Sequence, residues 1–177
     1  MNETLKILKE RRSVRRYEAR PVEREKLDAI LEAGKYAPSA KGQQSVTMVV
    51  LTKREDIAEL SALNAAVMGT SSDPFFGAPC VVVVLADPEA TNAANAQRDG
   101  SLTMGNLMNA AWSLGVSSCW INRAAEVFAE PQGKALLRRW GLPERLMGVG
   151  NCILGYAAEG GKKAPAPRKE NYVVLVK

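Results

Sequence analysis

The sequence of 177 residues contains no histidine. This absence excludes a Ser-His-Asp triad, a Cys-His nucleophile pair, a histidine general base and zinc sites built from histidine. Cysteine is scarce: the three residues are widely spaced and form no Cys-x-x-Cys motif, so we expect neither a metal site nor a disulfide framework. An enzyme with this composition would depend on an organic cofactor for its difficult chemistry.

Long apolar runs and aromatic clusters are also missing. The longest apolar run, residues 78–86, is far shorter than a membrane-spanning helix. Aromatic residues make up 6% of the chain and are scattered, and the net charge is +5. Nucleic-acid binding would require basic residues over a continuous face with interleaved aromatics, so we expect no nucleic-acid partner and no membrane partner. The cysteines lie in apolar stretches, which indicates buried, reduced thiols in a cytoplasmic protein.

The order of helical and strand patterns predicts a single α+β domain that spans residues 1–177. Apolar periodicity predicts helices at residues 5–12, 21–34, 54–68, 98–114 and 131–140. Runs of β-branched residues predict strands at residues 46–51, 80–86, 117–122, 149–155 and 172–176. The chain lacks a regular βαβ alternation with a phosphate loop after its first strand, which argues against a dinucleotide-binding fold.

Four arginines and a serine lie within six residues at the end of the first predicted helix. The cluster consists of Arg11, Arg12, Ser13, Arg15 and Arg16. Arginine presents a planar fork that matches phosphate oxygens, and a serine hydroxyl adds a short donor, so the cluster is a candidate site for a small anion. A solvated basic surface is the alternative interpretation.

Other conspicuous positions are interpreted as structural. Asp87 and Asp99 do not form a recognisable carboxylate pair, and we expect surface or helix-capping roles for both. Gly148-Val149-Gly150 begins like a dinucleotide fingerprint but lacks the third glycine and leads into a predicted strand, which favours a strand entry.

Five segments, in order along nearly the whole chain, resemble motifs of the FMN-dependent nitroreductases. They are Arg11–Tyr17, Ala37–Ala40 with Gln44, Ala78-Pro79 before a valine run, Leu114–Ile121, and Gly155-Tyr156 with Arg168-Lys169. Each motif is weak alone, but five in the same order are specific. The resemblance implies a three-layer α-β-α fold, in which helices flank a mixed, mainly antiparallel sheet, and an intertwined homodimer.

The resemblance also implies a binding site for FMN. The residues implied at the phosphate are Arg11, Arg12, Ser13, Arg168 and Lys169. Arg15 would lie near the pyrimidine edge of the flavin, where a fixed cation stabilises the negative charge that develops on reduction. For Arg16 we prefer a surface role.

A further set of residues would reach the flavin ring, some of them from the partner subunit. Pro38, Ser39 and Ala40 would come from the partner, with Gln44 near the crossing between subunits. The segment Trp120, Ile121 and Asn122 would present its backbone to flavin N5, with simple packing of Trp120 in a core strand as the alternative. Asn64 could contact the ring edge, but a solvated helix position is favoured.

The implied reaction is a ping-pong cycle at one site. NADPH or NADH would reduce FMN at N5, and a nitroaromatic, quinone or related small acceptor would then be reduced. No side chain is expected to act as an acid, base or nucleophile, in keeping with the absence of histidine. A non-catalytic FMN store or sensor is the alternative. The sequence departs from the family pattern at Gly42, Ser45 and Val46, which leaves the acceptor undefined.

Overall fold

The computed structural model describes residues 1–176 of the chain. The helices are α1 (Glu3–Glu10), α2 (Arg24–Lys35), α3 (Arg54–Met68), α4 (Ala93–Ser113), α5 (Ala124–Ala129) and α6 (Pro131–Arg139). The strands are β1 (Val46–Leu51), β2 (Cys80–Ala86), β3 (Ser117–Ile121) and β4 (Met147–Gly155). Short 3-10 turns lie at Ala40–Gly42 and Glu170–Tyr172.

The four strands form one antiparallel sheet in the order β1-β2-β4-β3. Ser13 adds an isolated parallel bridge to Ser118 on the outer edge of β3, so the sheet is mixed but mainly antiparallel. Every residue of β2 is buried, as expected for a continuous β-branched run in a strand covered on both faces.

The sheet separates two apolar clusters, because successive strand residues point to opposite faces. On one face Val81 and Val83 pack with side chains of α3, α5 and α6. On the other face Val82 and Val84 pack with side chains of α2 and α4. Helices therefore cover both faces, and the predicted three-layer α+β architecture is confirmed. Within residues 1–176 none of the helices combines the length and apolarity needed to span a bilayer.

The predicted helices and strands agree best with the structure where a short run of adjacent residues determines them. The positions of β1, β2 and α3 agree with the structure to the residue. The helix predicted from residue 98 starts at Ala93, where Asn92 caps it by accepting a hydrogen bond from the Asn95 N–H. Asparagine is a preferred N-cap residue, so this signal was present in the sequence.

One prediction about elements is wrong, and one helix was missed. The predicted strand at residues 172–176 is not a strand, and Val173 to Val176 are exposed. A β-branched run forms a strand only beside a neighbouring strand, and a single chain provides none at this place. Helix α5 was not predicted; it has only six residues, and Arg123 before it has φ 76° and makes no side-chain cap.

Gly148 lies inside β4, and it allows a close contact with α5. A Cβ atom at this position would overlap the backbone of Ala124, the first residue of α5. The segment lies in β4, as the strand interpretation predicted, and the missing side chain of Gly148 allows this close packing. We expect Gly148→Ala to destabilise the fold by about 3 kcal/mol. For a chain of this length that change lowers Tm by roughly 6–12 °C, which a thermal unfolding scan would measure.

Gly105→Ala on α4 is the matched control for Gly148→Ala. A Cβ atom at Gly105 meets nothing within 4 Å outside its neighbours and its own helix backbone. Because alanine favours a helix interior by about 1 kcal/mol over glycine, the Tm of this variant is expected to stay the same or rise slightly. Equal Tm values for the two variants would contradict the close contact between β4 and α5.

Candidate functional site

An extended segment of residues 11–16, which we call the arginine segment, follows α1 along the outer edge of β3. The Val14 N–H donates to the Ser118 carbonyl oxygen at 3.0 Å. The neighbouring Ser13 forms the parallel bridge to the same serine. The two contacts fix the arginine cluster beside the N-terminal end of β3.

Arg11, Ser13 and Arg15 share one side of the arginine segment. Val14 is fully buried, and alternate residues of an extended chain point to opposite sides, so these three lie on the side away from Val14. The Cys119 thiol supports this placement. Burial raises its pKa, while the charge of Arg15, a hydrogen bond with Ser13 and the charge of Arg11 oppose the rise. The three side chains therefore lie on the same side of the arginine segment, which runs beside β3.

The arginines of this segment have no acidic partner in the described part of the chain. The arginines that do form ion pairs there are Arg20, Arg24, Arg123, Arg138, Arg139 and Arg145. Arg11, Arg12, Arg15 and Arg16 are absent from the ion pairs of residues 1–176. Concentrated positive charge without a partner attracts anions, which fits a phosphate site.

Arg12 makes structural contacts within its own chain. Its guanidinium donates to the carbonyl oxygens of Lys9 at 2.8 Å and Arg11 at 2.5 Å. These oxygens lie at the C-terminal end of α1, where main-chain acceptors lack helical partners and the helix dipole is negative. Arg12 therefore fastens the arginine segment to α1. Arg16 is exposed, as preferred from the sequence.

The three predicted ring-contact residues follow at the far end of β3. Trp120 is half-buried and packs over Gly150 with the α2 and α4 cluster, so its side chain does serve the core. Ile121 is buried and Asn122 is exposed. Among residues 1–176, the arginine segment makes a backbone hydrogen bond to β3 at Ser118 and makes none to residues 119–122. The outer backbone edge beside residues 119–122 therefore has no partner from that segment.

The loop of residues 38–44 connects α2 to β1. Pro38 and Gln44 are exposed, and Ser39 and Ala40 are half-buried. The Gln44 N–H donates to the Ser39 hydroxyl at 3.0 Å, and this bond closes the loop on itself. The predicted members of the loop are thus held in one compact turn.

The loop and the arginine segment occupy diagonally opposite corners of the sheet. Ser13 pairs with Ser118 on β3, which lies opposite Leu154 on β4, and Leu154 lies opposite Cys80 on β2. This row of residues passes one residue beyond the C-terminal end of β1, whereas Ser45 lies just before the N-terminal end of β1. Four strand spacings and seven residues of rise separate the two corners by about 30 Å. One chain therefore does not bring together the two predicted sets of residues.

The last two predicted residues, Arg168 and Lys169, are exposed. The C-terminal tail meets the arginine segment earlier, where the Ala158 N–H donates to the Arg16 carbonyl oxygen at 3.0 Å. The Lys169 ammonium lies 5.4 Å from the ring centre of Tyr172. Their role at a phosphate stays a prediction.

Asn64 corrects one interpretation. It was expected in solvent, but it is fully buried on α3. Its amide donates to the Leu60 carbonyl oxygen at 2.9 Å, and its oxygen accepts from Asn151 at 3.1 Å. The Asn151 oxygen accepts no hydrogen bond from any of residues 1–176. The pair links α3 to β4 through the core. The position of Asn64 in an otherwise apolar stripe of α3 was the available sequence signal that its side chain is buried.

Asp99 corrects a second interpretation. Only 3% of its surface is exposed, and its carboxylate accepts hydrogen bonds from the Ala40 N–H at 2.9 Å and the Ser45 hydroxyl at 2.8 Å. The expectation of a surface or capping role is therefore wrong for Asp99. For Asp87 it is confirmed: the carboxylate accepts from the Glu89 N–H and pairs with Arg145.

A separate cavity of about 690 Å³ lies against α3. Its wall includes Arg54, Ser61, Asp73 and Pro79, and none of the thirteen predicted cofactor residues contributes to it. The Asp73 carboxylate is occupied by the Ser61 hydroxyl and by backbone N–H groups of the following turn. Among residues 1–176 no cluster of Cys, Asp or Glu is arranged to hold a metal ion.

Comparison with known proteins agrees with the fold. A nitroreductase of Bacteroides fragilis, whose crystal structure contains FMN, superimposes with a TM-score of 0.91 at 30% identity over 100% of both chains. A protein of Archaeoglobus fulgidus, provisionally named an NADH dehydrogenase/NAD(P)H nitroreductase, is 32% identical over 88% of this chain and 86% of its own. An FMN reductase [NAD(P)H] of Bacillus subtilis is 29% identical over 93% of this chain and 70% of its own. The model of the Nitroreductase family matches residues 8–156. The chain belongs to the nitroreductase family.

Proposed function

We propose that two copies of this chain form a homodimer that binds FMN and transfers electrons from NADPH or NADH to small acceptors such as nitroaromatic compounds and quinones. One observation carries the proposal: Arg11, Ser13 and Arg15 lie on the same side of the arginine segment beside β3, without an acidic partner among residues 1–176. The bound FMN of the Bacteroides fragilis relative and the name of the Bacillus subtilis relative indicate which anion this set would hold.

The donor set fits the phosphate of FMN. Guanidinium and hydroxyl donors form short, charge-assisted hydrogen bonds with phosphate oxygens, and Arg11 and Ser13 provide both types. Arg168 and Lys169 would add positive charge from the tail, and Arg12 fastens the segment to α1. Ser118, which anchors Ser13, and Asn122 are about 14 Å apart along β3. An elongated ligand held at Ser13 would therefore run toward the unpartnered edge of residues 119–122.

The separation of the two predicted residue sets supports a homodimer. The loop of residues 38–44 is about 30 Å from Ser13 in the same chain, which is more than one FMN molecule can span. A second copy would bring its Pro38, Ser39, Ala40 and Gln44 to the flavin held by the first. The site would then lie between subunits, with both subunits contributing residues to it.

The residues of this chain bind and orient, and none of them is needed to exchange a proton. When bound, FMN supplies the two-electron exchange with NAD(P)H and with the acceptor. Arg15 provides a fixed positive charge at the site, which stabilises nearby negative charge. The three thiols are buried, and burial raises the pKa of Cys80 to about 12. Such thiols stay protonated at neutral pH and are inert as nucleophiles.

The absorbance spectrum of the purified protein tests this proposal. We expect flavin bands that bleach when NADPH or NADH is added without oxygen, because the nicotinamide would transfer its electrons to the bound flavin. Adding a quinone or a nitroaromatic compound should restore the bands.

The other outcomes of this experiment point elsewhere. Flavin bands that persist with both nicotinamides would favour a non-catalytic FMN store or sensor. A colourless protein that also fails to take up added FMN would contradict the assignment of the arginine segment to a flavin phosphate.

A further inference from the structure

Asp99 ties both ends of the loop of residues 38–44 to α4. One carboxylate oxygen accepts from the Ala40 N–H at 2.9 Å, and the other accepts from the Ser45 hydroxyl at 2.8 Å. Asp99 and Ser45 are both buried, with 3% and 4% of their surface exposed. The two hydrogen bonds therefore form away from bulk water, where losing a partner is costly.

The loop needs such a restraint because its backbone is unfavourable. Lys41 and Gln44 have φ angles of 53° and 49°. Residues with side chains adopt this left-handed region only when their surroundings impose it. Gly42, with φ 66°, sits between them without penalty.

Packing alone does not supply the restraint. A cavity of about 130 Å³ lies under the loop, and its wall includes Pro38, Ser39, Gln44, Asp99 and Thr103. Side chains that line a cavity have lost van der Waals partners on that side. Hydrogen bonds therefore hold the loop, and those of Asp99 join it to the rigid α4.

We propose that Asp99 is a positioning residue that holds the loop in the conformation in which it contacts the flavin of the partner subunit. The inference rests on the proposed function, since the contact with flavin is part of that proposal. Asp99 acts through Ala40 and Ser45. A carboxylate suits this role because both of its oxygens accept, whereas the amide of asparagine has one accepting oxygen.

Limited trypsin digestion and FMN titration of the full-length protein test this inference. Lys41 is an exposed cleavage site within the loop, and Lys163 is an exposed site in the C-terminal tail that serves as an internal reference. The variants are Asp99→Ala, Asp99→Asn and Ser45→Ala. Arg98→Ala, an exposed neighbour on α4, is the matched control. Mass spectrometry would give the two cleavage rates, and flavin fluorescence the FMN dissociation constant.

For Asp99→Ala we expect cleavage after Lys41 to accelerate at least about tenfold, the size that follows from losing hydrogen bonds to a charged acceptor. Cleavage after Lys163 should not change. The FMN dissociation constant should rise by about the same factor. Ser45→Ala, which keeps the hydrogen bond from the Ala40 N–H, and Asp99→Asn, which replaces the charged acceptor by a neutral amide, should give intermediate values in both measurements. Arg98→Ala should match the unaltered protein.

Two results would overturn the inference: a folded Asp99→Ala protein cleaved after Lys41 at the normal rate, or faster cleavage with unchanged FMN affinity. If Asp99→Ala does not fold, the two milder variants decide in the same way. If the unaltered protein itself does not bind FMN, the proposed function fails. The digestion then still decides whether Asp99 holds the loop.

Discussion

Replacing Arg11 and Arg168 together by alanine is expected to abolish retention of FMN through purification. Arg11 lies on the unpaired side of the arginine segment, and Arg168 would approach the same phosphate from the tail. A hydrogen bond to a charged group contributes about 1.5–3 kcal/mol, so losing two such contacts should raise the FMN dissociation constant at least about 100-fold. The flavin absorbance per polypeptide and a fluorescence titration of the apoprotein measure both effects.

The matched control removes the same charge elsewhere. Arg24→Ala combined with Arg54→Ala takes away two exposed arginines on α2 and α3 that are not among the predicted cofactor residues. It should keep its flavin, since a general loss of positive charge changes long-range attraction more than a specific contact. If the Arg11 and Arg168 double variant is purified yellow at full occupancy, the phosphate assignment is wrong.

The single variants Arg11→Ala and Arg168→Ala separate the contributions of the arginine segment and of the C-terminal tail to FMN affinity. If Arg11 and Arg168 bind the same phosphate, the effects of Arg11→Ala and Arg168→Ala should be non-additive in a double-mutant cycle, because nearby groups that share a partner are coupled. Additive effects would place Arg168 at a different part of the ligand.

The parts of the fold that could be predicted from the sequence are those determined by residues close together in the chain. The β2 run is β-branched and bounded by breakers, and its burial on both faces follows from that pattern. The arginine segment could be identified from its composition alone. The side chains of this segment alternate between its two sides, as in any extended chain. Val14 points into the core, which leaves Arg11, Ser13 and Arg15 on the other side.

The parts that could not be predicted depend on contacts distant in sequence. Asp99 looks like any polar residue of an amphipathic helix, and only the packing of α4 beside the loop makes it a buried acceptor 59 positions from Ala40. Asn64 is similar, since its partner Asn151 is 87 positions away. A pattern of residue types carries no information on which polar groups will meet in the core.

The predicted strand at residues 172–176 failed for a related reason, because its strand partner would have to come from another chain. The segment has the composition of a strand, yet Tyr172 is 69% exposed and Val176 is 94% exposed in the single chain. At the same time β1 is an edge strand of the sheet. A long unpaired edge normally requires protection, and an apolar tail with nothing to cover it normally has a partner surface.

Replacing residues 172–176 by serine is therefore expected to dissociate the proposed homodimer. Burying one Val or Leu side chain contributes about 1.5–3 kcal/mol, and two tails would be buried in each dimer. Even partial burial makes the expected loss at least about 4 kcal/mol, or a roughly 1000-fold rise in the dimer dissociation constant. Sedimentation velocity over a range of protein concentrations would measure it. Replacement of Val173, Val174 and Val176 by isoleucine keeps the tail apolar and β-branched and should leave the dimer intact.

Flavin retention links this tail variant to the arginine variants and separates the two halves of the site. If the loop of residues 38–44 reaches the flavin only from the partner, the serine-tail protein should lose FMN when it dissociates and regain it at concentrations high enough for association. The Arg11 and Arg168 double variant should lose FMN at every concentration while it remains a dimer. A serine-tail protein that is monomeric yet binds FMN normally would show that one chain forms the whole site, and the assignment of Pro38, Ser39 and Ala40 to the partner's flavin would then be wrong.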